Sequence, residues 1–89
     1  MISRDVDVVN RLGLHARAAA KLVGTATRYA SALSVGREGR SADAKSIMAV
    51  MMLAAGKGTT VHLLTEGEDA QAALDALIEL INNRFDEGE

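Results

Sequence analysis

Cysteine, proline and tryptophan are absent from the 89 residues, and the aromatic complement is one Tyr and one Phe. Without cysteine there is neither a disulfide scaffold nor a thiolate metal site, which excludes a stapled secreted module and a zinc ribbon. No apolar run approaches the roughly 20 residues that cross a bilayer, and Met1-Ile2-Ser3-Arg4-Asp5 lacks the apolar stretch of an export signal. A soluble cytoplasmic protein without a membrane partner is expected. Excess positive charge is lacking as well: ten Lys and Arg stand against twelve Asp and Glu, a net of −2, so nucleic acid is not an expected partner.

With 48% apolar and 25% charged residues, the chain reads as one small globular domain spanning residues 1–89, with a modest core. Its charge is unevenly spread. Between Arg11 and Lys45, the cations Arg11, Arg17, Lys21, Arg28, Arg37, Arg40 and Lys45 stand against only Glu38 and Asp43. From Gly58 onward Arg84 alone stands among eight acidic residues. The basic half would steer an acidic partner or an anionic group towards itself.

Ile2, Val6 and Val8 alternate with Ser3, Asp5 and Asp7, the period of a half-buried strand over residues 2–9. From Ala16 the chain turns Ala-rich, and Ala19, Leu22, Val23, Ala26 and Ala30 at helical spacing predict a helix over 16–29. Gly36-Arg37-Glu38-Gly39 suits a hairpin between strands near 32–36 and 40–43. Ser46 stands where an N-cap belongs, before a short helix ending near Gly56. Thr59 to Thr65 reads as a strand, and Glu66-Gly67-Glu68-Asp69 as a turn leading into an acidic helix start. Ala70, Ala73, Leu74, Leu77, Ile81 and Phe85 complete the last helix with a long apolar stripe. The order βαββαβα in so short a chain packs most economically as an α+β open-faced sandwich, one antiparallel or mixed sheet with three helices on one face.

The chemistry concentrates at Asn10-Arg11-Leu12-Gly13-Leu14-His15-Ala16-Arg17. A glycine-containing loop delivers His15 to a helix start, where backbone N–H groups lack intrahelical partners and the helix dipole is positive. That potential favours a neutral, nucleophilic ring able to attack phosphorus. A phosphoryl group on the ring would meet the N–H groups of Ala16 and Arg17, with the Arg17 guanidinium adding charge. The plainer alternative is a histidine that caps its helix and does no chemistry.

Two runs in register, Gly13-Leu14-His15-Ala16-Arg17 and Lys45-Ser46-Ile47-Met48-Ala49-Val50-Met51-Met52-Leu53-Ala54, carry a resemblance over nearly the whole length. The chain resembles the histidine-containing phosphocarrier proteins of the bacterial phosphotransferase system, the HPr family. The resemblance implies a four-stranded antiparallel sheet covered on one face by three helices. It implies that His15 is phosphorylated on Nδ1, taking phosphate from a histidine of enzyme I and passing it to a histidine of an enzyme IIA. Arg17 is then the basic residue of the site. The chain would be a monomeric protein substrate of phosphotransferases rather than a stand-alone enzyme, needing no cofactor or metal. Ser46 matches the regulatory serine that an ATP-dependent HPr kinase phosphorylates in some members, although capping alone accounts for a serine there.

Departures from the family pattern bear on partners. Ala18 stands where members usually have Pro, and either residue suits a first helical turn. Gly24 and Thr27 are uncharged where sugar-transport members often carry basic residues. With the Ala18-Ala19-Ala20 run, the Met-rich second helix and the Phe85-Asp86-Glu87 ending, this resembles the nitrogen-related branch, NPr. Ile47, Met48 and Met51, with Ala20 on the first helix, are expected to form an exposed docking face beside the His15 loop, while Val50, Leu53 and Ala54 point inward. The rival is a regulatory module that uses this face without passing phosphate on.

Three weaker signals carry no function. The G-x-x-G of residues 36–39 lies between predicted strands rather than the helices of a KH domain. Gly56-Lys57-Gly58-Thr59 follows a helix and precedes a strand, the reverse of a P-loop. His62 reads as an exposed strand histidine.

Overall fold

The computed structural model describes residues 1–53 and 55–86. Ala54 and Glu87, both singled out above, lie outside the described residues. The elements are β1 (Ile2–Asp7), α1 (Ala16–Ala26), β2 (Ala32–Arg37), β3 (Arg40–Asp43), α2 (Ile47–Met52), β4 (Thr60–Glu66) and α3 (Ala70–Asn82), followed by a short turn at Arg84–Asp86. Every strand pairing is antiparallel and the order across the sheet is β1-β4-β2-β3. Val6 pairs with Val61, and Val35 with Leu63. Those side chains face inward with Leu33, Thr65 and Ala42, while Asp5, Asp7, Thr60, His62 and Glu66 stay exposed on the other face. The helices cover the inner face, α3 against β1 and β4, and α1 between α2 and α3. This is the open-faced sandwich that the element order implies.

The β2–β3 hairpin closes at Glu38 and Gly39, with φ of 50° and 82°, the left-handed pair that matches the twist of its strands. Helix ends depart from the periodicity. α1 stops at Ala26 rather than near 29, with Thr27 Oγ1 donating back to the Gly24 carbonyl, and Ala30 is exposed. The chain must turn there to reach β2. α2 ends at Met52 rather than near Gly56, and Arg37 Nη1 donates to the Leu53 carbonyl at 2.9 Å. Phe85 is fully buried but not on a helix: α3 stops at Asn82, and Arg84, Phe85 and Asp86 adopt φ of 56°, 53° and 62°. This left-handed turn swings the ring under the core, and Lys21 Nζ donates to the Phe85 carbonyl at 2.6 Å.

Asp69 does more than begin a helix. It stands at the cap position of α3, yet its side chain makes no capping bond there. Its oxygens instead accept from the N–H groups of Ala30 and Ser31, both at 2.9 Å, and from the Ser31 hydroxyl. The α1–β2 connection is thereby tied to the start of α3. The Ser31 hydroxyl, aided by the Ala30 amide, holds the Asp69 carboxyl below its ordinary pKa. A carboxylate depressed in the folded state contributes stability above its unfolded pKa, and that contribution is lost as pH falls through the folded value. Asp69→Asn should therefore lower Tm at neutral pH and flatten the loss of Tm below about pH 4. Calorimetry of both proteins across the acid range checks this; parallel Tm curves would refute it.

Candidate functional site

The loop before α1 is clamped from both sides. Asn10 is buried, its Nδ2 donating to the Gly13 carbonyl at 2.8 Å, while the Gly13 amide donates to the Asn10 carbonyl at 3.2 Å. Gly13 has a φ of +65°, and an added Cβ would lie 2.4 Å from the Ala55 carbonyl oxygen. Leu14 is buried, and its amide donates to the same Ala55 carbonyl at 2.8 Å. With its two preceding residues anchored, His15 enters α1 as its N-cap in extended conformation, and its own carbonyl accepts from Ala19 at 2.8 Å.

The half-buried His15 ring turns Nδ1 back over the helix start, where it accepts from the Arg17 N–H at 3.3 Å. A nitrogen that accepts carries a lone pair, so this contact puts the neutral ring's proton on Nε2. The sequence expectation needs correction at one point. The Arg17 amide is already engaged by the ring, because the cap geometry aims it at Nδ1. Any group bonded to Nδ1 therefore meets that amide, and a 3.3 Å bond is long enough to exchange at little cost. The capping alternative and the chemical reading thus describe one geometry.

The ring opens on a depression of about 570 Å³ lined by Arg11, Leu12, His15, Ala16, Arg17, Lys21 and Asp86. Ala16 and Arg17 are exposed. Arg11, Lys21 and Asp86 were not among the expected site residues, although Arg11 lies in the His15 loop itself. Lys21 lies one helical turn beyond Arg17, a spacing that could have found it. Asp86 arrives only through the left-handed turn, its carboxylate 4.0 Å from Lys21 Nζ. The basic half of the sequence does not act as one steering surface: Lys45 Nζ donates to the Tyr29 carbonyl at 2.8 Å, and Arg37 to Leu53. Arg11, Arg17 and Lys21 gather at the depression.

Ser46 caps α2 through its Oγ, which accepts from the Ala49 amide at 3.3 Å. Val50 and Leu53 are buried, while Ala20, Ile47, Met48 and Met51 are exposed as the spacing implies. Met52, which the periodicity left unplaced, and Leu12 are exposed too. The Leu14–Ala55 bond and the packing of α2 on α1 put this apolar surface beside the His15 loop. His62 is exposed on the opposite face of the sheet with Nδ1 2.5 Å from Asp5 Oδ1. Among the described residues no three of His, Cys, Asp or Glu converge on a metal position, and no helix is long and apolar enough to cross a membrane.

Comparison with known proteins places this geometry among relatives. The profile of a family described as the PTS HPr component phosphorylation site matches residues 2–83. A phosphocarrier protein HPr of Pseudomonas aeruginosa is 64% identical over 90 residues, covering both chains completely. A phosphocarrier protein NPr of Shewanella violacea is 42% identical over 86 residues, covering 97% of this chain and 94% of its own. Among solved structures, an HPr crystal structure from Thermoanaerobacter tengcongensis superposes with a TM-score of 0.94 at 39% identity, covering 98% of each chain.

Proposed function

The chain belongs to the HPr family of phosphocarrier proteins of the phosphotransferase system, and on that premise we propose that His15 Nδ1 carries the phosphoryl group from enzyme I to an enzyme IIA. The observation that supports this most is the aim of the Arg17 amide at Nδ1, in an open depression lined by Arg11, Arg17 and Lys21. The Nδ1 lone pair attacks phosphorus as the bond from phosphorus to the donor's ring nitrogen breaks. The Nε2 proton leaves His15 and the departing donor ring takes one up, so both rings end neutral. Transfer to the enzyme IIA histidine runs the same exchange in the other direction. The partner supplies in-line approach, and this chain supplies a nucleophile that opens on the depression, with donors for the charge.

Arg17 adds charge-assisted donors to the phosphoryl oxygens. Arg17→Gln should slow transfer from enzyme I about tenfold to a hundredfold with Tm unchanged, since hydrogen bonds to charged groups contribute about 1.5–3 kcal/mol and the side chain is exposed. Stopped transfer assays and calorimetry read the two arms; an unchanged rate refutes the role.

Ile47, Met48, Met51 and Ala20 dock the partners, with Met52 extending the face. Ser46 is accounted for by its capping bond, and an HPr kinase is not required to explain it. The acceptor is an enzyme IIA of the nitrogen-related branch: the exposed Gly24 and Thr27 carry no charge at positions where sugar-branch members often present cations. Labelled phosphoenolpyruvate with enzyme I, followed by addition of nitrogen-type or sugar-type enzyme IIA, tests the whole proposal. Label should reach His15 and move on to the nitrogen-type acceptor. Label that reaches His15 and never leaves supports the regulatory module instead.

A further inference from the structure

All the sulfur of this chain is thioether, and none of it is in the core. The interior is filled by Val, Leu, Ile, Ala and Phe85, whereas Met1, Met48, Met51 and Met52 are 81%, 70%, 36% and 72% exposed. Three of the four lie within the six residues of α2. Met48 and Met52 stand one turn apart on the same side of the helix, with Met51 adjoining. The talent of methionine for filling irregular core gaps is unused here. With no cysteine in the chain, no thiol intercepts an oxidant before it reaches these groups.

We propose that Met48 and Met52 are a reversible oxidation site for hydrogen peroxide, and that their sulfoxides weaken the docking face on α2. This rests on the reading of α2 as that face. A sulfur lone pair attacks a peroxide oxygen, the O–O bond breaks, and an S–O bond forms. The departing oxygen collects both peroxide protons and leaves as water, so sulfur is oxidised by two electrons and peroxide reduced by two. A dithiol-dependent sulfoxide reductase reverses the change: the sulfoxide oxygen leaves as water while the dithiol closes to a disulfide. Oxidation converts an apolar, pliable contact into a polar one that docking would bury without its water. Because both side chains lie outside the core, the fold is not opened. The helix sits beside His15 rather than at it, so binding changes and chemistry does not.

The full chain is treated with hydrogen peroxide, the excess is destroyed with catalase, and transfer from enzyme I is measured alongside peptide mass mapping. Met48 and Met52 should each gain one oxygen faster than Met51. KM for the chain should rise about tenfold with kcat little changed, the size expected when central docking contacts are lost, and reductase with dithiothreitol should restore it. Whatever its starting rate, M48L/M52L should give the same KM before and after peroxide, because leucine has no sulfur to oxidise. A second variant, M48A/M52A, separates the proposal from its premise. If the alanine variant raises KM and oxidation does not, the oxidation proposal falls and the docking reading stands. If neither raises KM, both fall. Oxidation confined to Met1 also overturns the proposal.

Discussion

Replacing His15 with Ala should leave a folded chain that accepts no phosphate. The ring is half-buried at the end of a loop, outside the core, and its loss removes the long capping bond to the Arg17 amide. Loss of a capping side chain costs typically about 1 kcal/mol, so far-ultraviolet circular dichroism should match the parent and Tm should fall by only a few degrees. Activity should vanish altogether, because the other imidazole of the chain, His62, is not placed to take over. His62 stands on the exposed face of the sheet, across the domain from α1, with its Nδ1 against Asp5. Incubation with enzyme I and labelled phosphoenolpyruvate should give acid-labile label on the parent and none on H15A. Label of the same lability on H15A would place the acceptor elsewhere and end the reading of this site.

Gly13→Ala should be the most damaging change that removes no functional atom. Its φ of +65° is in the left-handed region, and a Cβ would stand 2.4 Å from the Ala55 oxygen and 2.7 Å from the Gly56 Cα, both backbone atoms. Neither neighbour is a side chain that can rotate away, so the two loops must separate. That strains the Leu14–Ala55 bond and moves the residue preceding His15. Left-handed strain and overpacking each cost about 1–3 kcal/mol. A combined loss on the order of 3 kcal/mol is a large share of the 5–15 kcal/mol that holds a typical domain. Chemical denaturation should reveal it, with slower phosphoryl transfer under conditions where the variant is still folded. Gly24→Ala is the control: it sits on α1 with no atom within 4 Å of a built Cβ. That change should be neutral or stabilising, by up to about 1 kcal/mol. Equal effects at the two glycines would refute the close-approach argument.

Much of this was legible in the sequence because it is local. Alternation in Ile2, Val6 and Val8, the Gly39 turn, the Ser46 cap and the split of α2 into buried Val50 and exposed Met48 all depend on residues one to four apart. So does the placement of His15 at a helix start, since a glycine loop and an Ala-rich run are both read within a few positions. Helix ends were less legible: α2 stops at Met52 because the chain beyond it must lie against Gly13, which no nearby residue announces.

The order of elements, the face each buries and the place of His15 at a helix start could all be read from the residues alone. Tertiary structure alone decided that Asp69 reaches 38 residues back to Ser31, that Lys21 holds the Phe85 carbonyl 64 residues away, and that Asp86 joins the rim of the His15 depression. Periodicity and capping are short-range interactions, encoded where they act. These contacts exist only once the sheet has set the spacing between distant segments, so the residues making them carry no mark of it until the chain is folded.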